Sequence, residues 1–166
     1  MPHATHLATD RSPALSRLGY PLLLGILLTS PLAQAGGAHG QHAAQMGHPA
    51  DATQATRTIE LSMDDRMRFS KPEIQIKRGE TVRFVLNNEG RLKHEMVLGT
   101  DKEIKEHAKL MAKFPNMEHE DANSANLAPG AQGEITWKFT RSGTFSYACL
   151  LPGHYEAGMH GRIVVR

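Results

Sequence analysis

From Arg57 onward, apolar and polar residues alternate in short runs. Ile59, Leu61 and Met63 are separated by polar neighbours, as are Ile74 and Ile76. Val82, Phe84 and Leu86 share one side of residues 81–86, and Ile135, Trp137 and Phe139 repeat the arrangement. A period of two puts such residues on one face of a β-strand. Residues 162–166 read as a last strand with Ile163 and Val165 inward. The runs are separated by turn-forming sequences: Arg78, Gly79 and Glu80; Asn87 to Gly90; Ala128, Pro129 and Gly130; Arg141, Ser142 and Gly143. Many short strands at this spacing predict an all-β antiparallel sandwich or barrel. One segment departs from the rhythm. Residues 101–113 carry Ile104, Ala108 and Met111 at helical intervals, with Asp101 suited to the start and Lys113 to the end. The pattern predicts a single inserted helix, followed by a loop over 114–127.

The N-terminal part has a different character. Residues 1–17 are polar or small and include Arg11 and Arg17. An apolar run over 18–32 follows, then Ala33, Gln34 and Ala35. A positive start, a short apolar run and a small-x-small ending predict a cleaved secretory signal over 1–35, and therefore a periplasmic protein. Pro21 and Pro31 interrupt the run, which falls short of the ~20 apolar residues of a spanning helix. No stable membrane insertion is expected after cleavage. Residues 36–56 are mainly Gly, Ala, Gln, His and Thr. Such a composition buries too little apolar surface to offset ordering, which predicts a mobile tail before a folded domain over 57–166.

Composition narrows the chemistry. The net charge is +2 for the whole chain, and loss of the signal would leave about +1. No basic cluster is interleaved with aromatics, so nucleic acid is not an expected partner. There is one cysteine among the 166 residues. An exported protein with one cysteine makes no internal disulfide, so Cys149 is either inert and buried or committed to chemistry.

The surroundings of Cys149 favour chemistry. A strand over 144–148 delivers it, Pro152 and Gly153 turn the chain to His154, and Gly158 precedes Met159. A compact loop can thereby aim a thiolate, an imidazole and a thioether at one point. His94, at the start of the apolar strand 95–98, is the best candidate for a fourth ligand. Thiolate, two imidazoles and a weak thioether lie between the preferences of Cu(I) and Cu(II), so copper changes oxidation state there with little rearrangement. Zinc accepts the same nitrogen and sulfur donors but has no call for a methionine. A Cys–His nucleophile pair would need an oxyanion hole and an orienting partner, neither of which has a motif here.

Residues 57–166 resemble the cupredoxins, the small blue-copper β-sandwich proteins, in the Cys-x4-His-x4-Met loop before the last strand and in the upstream histidine. The resemblance implies a Greek-key sandwich and one type 1 copper, with His94 and His154 as imidazole ligands, Cys149 as thiolate and Met159 as axial ligand. The stretches 93–99 and 152–159 look like bacterial periplasmic copper-tolerance cupredoxins of the CopI type, as does the His- and Met-bearing tail. Many blue electron carriers have Asn directly after the first His, where it bonds across to the cysteine loop; here the residue is Glu95. Contacts to the ligands tune a metal, so potential and colour turn on this position.

Other positions carry copper-ligating groups. His39, His42, Met46 and His48 lie close together in the tail, and Met117 and His119 sit in the polar loop after the helix. Both groups are candidate additional copper ligands. Met63, Met67, Met96 and Met111 read as core or surface, and His160 as exposed. The expected function is copper tolerance: binding copper, cycling it between Cu(I) and Cu(II), and handing it to a copper-transport protein. The alternative is a soluble one-electron carrier for periplasmic redox partners, with Leu150, Leu151 and Pro152 as an apolar docking patch. A copper oxidase or nitrite reductase would need further copper centres with His-x-His or His-Cys-His signatures, which the sequence lacks, so an enzyme is not expected.

Overall fold

The computed structural model describes residues 45–114 and 121–166. Among these residues the alternating runs become two five-stranded sheets. The first contains β1 (Gly47–Pro49), β2 (Arg57–Asp64), β3 (Arg68–Phe69), β5 (Thr81–Asn88) and β8 (Gln132–Phe139), in the order β1-β8-β5-β2-β3. The second contains β4 (Glu73–Ile76), β6 (His94–Gly99), β7 (Ser124–Leu127), β9 (Gly143–Ala148) and β10 (His160–Val165), in the order β4-β10-β9-β6-β7. β2 pairs parallel with β5, and β10 parallel with β4; the other pairings are antiparallel.

Period two accounts for the core. Ile59, Leu61 and Met63 of β2, Phe84 and Leu86 of β5, and Ile135, Trp137 and Phe139 of β8 are buried from one sheet. Ile74 and Ile76 of β4, Met96 and Leu98 of β6, Phe145 and Tyr147 of β9, and Ile163 and Val165 of β10 meet them from the other. Each such side chain contributes about 1.5–3 kcal/mol of burial. An edge-on ring pair joins the layers, Phe69 of β3 against Tyr147 of β9 at 5.0 Å, and a second, Phe84 against Phe139 at 6.3 Å, packs within the first sheet. Of the methionines read as core or surface, Met63, Met96 and Met111 are buried in the core.

The helix, α1, spans Asp101–Lys113, the predicted bounds. Thr100, one residue before Asp101, is its cap: its hydroxyl accepts from the Glu103 N–H, and the Glu103 carboxylate accepts from the Thr100 N–H. This reciprocal capping satisfies two donors that a helix start would otherwise leave orphaned. Ile104 and Met111 pack with Val97, Ala148 and Leu150, with Ala108 and Tyr155 at the margin. That second cluster explains why every residue of β6 is buried: one face meets the sandwich core and the other lies under the helix.

Two expectations are corrected. Residues 45–56 do not form a free tail. β1 pairs with β8 (Gly47 opposite Phe139, Pro49 opposite Trp137), Thr140 N–H donates to the Met46 carbonyl, and Met46 is fully buried. The edge of β8 supplies the hydrogen bonds and one methionine the apolar anchor, so a segment of poor composition is ordered by its neighbour. Gly47 is required there because a Cβ would overlap the Lys138 carbonyl. Likewise, the loop predicted over 114–127 contains β7, which pairs with β6 from His94 opposite Leu127 to Val97 opposite Ser124. The predicted signal (1–35), His39, His42, Met117 and His119 lie outside the described residues.

Candidate metal centre

Four segments converge at one end of the sandwich. His94 is the first residue of β6, and Asn88, the last of β5, organises the turn that precedes it. The buried Asn88 side chain donates to the carbonyls of Leu92, Leu127 and Ala128 at 2.8–3.1 Å and accepts from the Gly90 N–H at 2.9 Å. β9 ends at Ala148 and so presents Cys149. The loop to β10 is closed by its own backbone: Cys149 N–H donates to the Met159 carbonyl and Met159 N–H to the His154 carbonyl, both at 3.0 Å. Gly153 and Gly158, at φ +83° and +98°, make the two turns that L side chains resist. From β3, the Arg68 guanidinium donates to the Ala157 carbonyl at 2.8 Å and braces the end of the loop.

The result is a built cluster. One ligand atom from each of His94, Cys149 and His154 lies within 4.8 Å of the others. Cys149, His94 and Met159 are fully buried, and His154 is half-buried. The His94 and His154 rings are 5.1 Å apart, tilted by 56°. Nε2 of His94 donates to Oδ1 of Asp65 at 3.2 Å. Nδ1 of the same ring is buried with no hydrogen-bond partner. A buried ring nitrogen without a partner, beside a buried thiol and a second imidazole, fits a metal ion and has no role in a purely structural core. The donor set is that of copper, and the geometry suits a type 1 site with His94, Cys149 and His154 as ligands and Met159 closing the loop beside them.

Electrostatics follow from burial. The Cys149 thiol is pushed up to about 12, mainly by loss of water, against opposing hydrogen bonds from the Glu95 and Leu151 N–H groups. His154 is lowered by burial and then by the neighbouring His94. Asp65 is held below the ordinary carboxylate range, first by the Arg91 N–H.

Several residues here had no sequence signal. Asp65 reaches His94 from the turn between β2 and β3, and also accepts from the N–H groups of Arg91 and Leu92. Gly90 makes room for that contact: a Cβ there would collide with the Asp65 carboxylate and come within 3.1 Å of His94 Nε2. Glu95, flagged only as a departure, bridges to the cysteine loop. Its N–H points at Cys149 Sγ at 3.4 Å, and its Oε1 accepts from the Leu150 N–H at 2.7 Å.

The remaining candidates separate. Met46 is core and unavailable as a tail ligand, whereas His48 is exposed, with Nδ1 2.9 Å from the Pro49 carbonyl. His160 is exposed and packs on Tyr155. The expected docking patch is smaller than the sequence suggests. Leu150 is buried under α1 and Leu151 is half-buried against the core, which leaves Pro152 exposed.

The family model described as copper binding proteins, plastocyanin/azurin family, matches residues 55–166. The copper-resistant cuproprotein CopI of Rubrivivax gelatinosus is 46% identical, over 91% of this chain and 99% of its own. The copper-resistant cuproprotein CopI of Pseudomonas aeruginosa is 38% identical, over 87% and 93%. Among solved structures, dithionite-reduced auracyanin from Roseiflexus castenholzii superposes with a TM-score of 0.58 at 23% identity, covering 68% of this chain and 98% of that one; the likeness is one of fold. The chain belongs to the plastocyanin/azurin family of copper binding proteins and groups within it with the CopI cuproproteins.

Proposed function

We propose that this protein is an exported copper-tolerance cupredoxin, which binds one copper at His94, Cys149, His154 and Met159 and cycles it between Cu(I) and Cu(II). The observation that carries the reading is the partnerless Nδ1 of buried His94 in a cluster with Cys149 and His154. When bound, copper supplies one-electron redox chemistry. The chain supplies two imidazoles, a thiolate and a closed loop that keeps water from three of the four donors. Tolerance is favoured over electron carriage by the identity with two proteins named for copper resistance and by the burial of Leu150, which reduces the apolar face a redox partner would use. Export rests on the signal pattern of residues 1–35; among the described residues no helix is long and apolar enough to cross a membrane. His39, His42 and His48, with Met117 and His119, are proposed as accessory weak copper ligands; Met46 is not.

The test is growth of a strain lacking this protein. It should grow normally at low copper and fail at elevated copper, with rescue by the wild type and not by Cys149→Ser. The purified wild type should turn blue or green with Cu(II) and bleach on reduction. A respiratory or nitrogen-oxide defect at ordinary copper, with normal copper tolerance, would instead make it an electron carrier.

A further inference from the structure

Two carboxylates adjoin the cluster through different partners. Asp65 holds the outward nitrogen of His94, and Glu95, only 2% exposed, holds the N–H of Leu150, the residue after the thiolate ligand. We infer that Glu95 and Asp65 are positioning residues that bias the centre toward Cu(II), lowering the potential at which its copper cycles. The inference rests on the copper reading above.

The argument is one of charge. A thiolate and two neutral imidazoles leave one positive charge with Cu(II) and none with Cu(I). A buried carboxylate beside them makes the cupric site neutral and the cuprous site anionic. A net charge in a site of low polarity is costly, so the carboxylate favours the oxidised ion. Alternation along β6 puts Glu95 on the helix-covered face, away from bulk water, where its charge is weakly screened. Asp65 acts through a ligand instead. A carboxylate accepting from the far N–H of an imidazole raises the basicity of the metal-facing nitrogen, which also favours the higher charge. Asp65 is partly exposed, so water screens it more. Glu95→Gln keeps the size and an oxygen acceptor for Leu150 and removes only the charge.

The experiment measures the reduction potential of the copper-loaded full chain by redox titration of its colour, for wild type, Glu95→Gln, Asp65→Asn and the double variant. Expected is a rise for Glu95→Gln by about tenfold in the Cu(I):Cu(II) ratio at fixed poise, about 59 mV for one electron. A smaller rise is expected for Asp65→Asn, with the two nearly additive. A Glu95→Gln potential at or below wild type would overturn the assignment. Should Glu95→Gln not fold, Asp65→Asn decides, and an unmoved or lowered potential there overturns it equally. A wild type that takes up no coloured copper would overturn the copper reading itself. Coloured variants at wild-type potential would overturn only the role of the two carboxylates.

Discussion

The sulfur of Cys149 lies 3.3 Å from Nδ1 of His154, five residues further along a loop that folds back on itself. The two atoms lie side by side, and burial raises the thiol to about 12 and lowers the imidazole. The metal-free pair is therefore a neutral thiol next to a neutral ring at pH 7–8.

Copper binding must then expel the thiol proton and little else. Uptake of coloured copper at pH 7.5 should release about one proton per ion, read with an indicator in weak buffer. Cys149→Ser should lose the colour and that proton together. Coloured uptake without proton release would contradict the burial argument.

The stability of the copper-free protein should fall as the solution is acidified, in two stages. His154 resists protonation when folded and accepts it near 6.5 when unfolded, so the unfolded chain binds more protons below that pH. Stability is lost as pH drops through 6.5 toward the lowered folded value. Asp64, Asp65 and Glu73, all lowered by hydrogen bonds, add a second loss as pH falls through their folded values. Urea midpoints across pH 3–8 should show both stages, and His154→Gln should flatten the first.

Met46 supplies a test of where the folded part begins. Met46→Ala should cost about 2–5 kcal/mol, as loss of a buried methionine does, while the colour and the affinity of the main site stay unchanged. An unaltered urea midpoint would return residues 45–50 to a loose tail.

Gly90 tests the support of His94. Gly90→Ala should push the Asp65 carboxylate from the imidazole at a cost of about 1–3 kcal/mol. The charge-transfer band should shift while the protein remains folded. An unchanged spectrum would show that Asp65 does not orient the ring.

Much of this architecture was legible in the sequence because the signals were local. β2, β5, β8 and α1 announce themselves by period, and Cys149, His154 and Met159 by spacing within one loop. β1 and β7 did not, since neither has alternating large side chains: each exists because a neighbouring strand, β8 or β6, offers an unpaired edge. Nothing in the sequence sets Asp65 apart from the adjoining Asp64 until the turn between β2 and β3 places it against His94. Glu95 could be flagged by its neighbour in sequence, but its reach to Leu150, across the pairing of β6 with β9, is a tertiary fact.

The connection order of the strands sets a timetable. His94 opens β6, yet Cys149, His154 and Met159 come only after β9. As a ribosome releases the chain, β2, β5 and β8 are available to pair before any sulfur ligand of the centre has been made. The apolar core of the sandwich does not depend on the metal to close it, so copper is not required as a template, unlike zinc in a finger that is unfolded without its ion. Loading is then a finishing step on a fold that its own apolar faces already hold together.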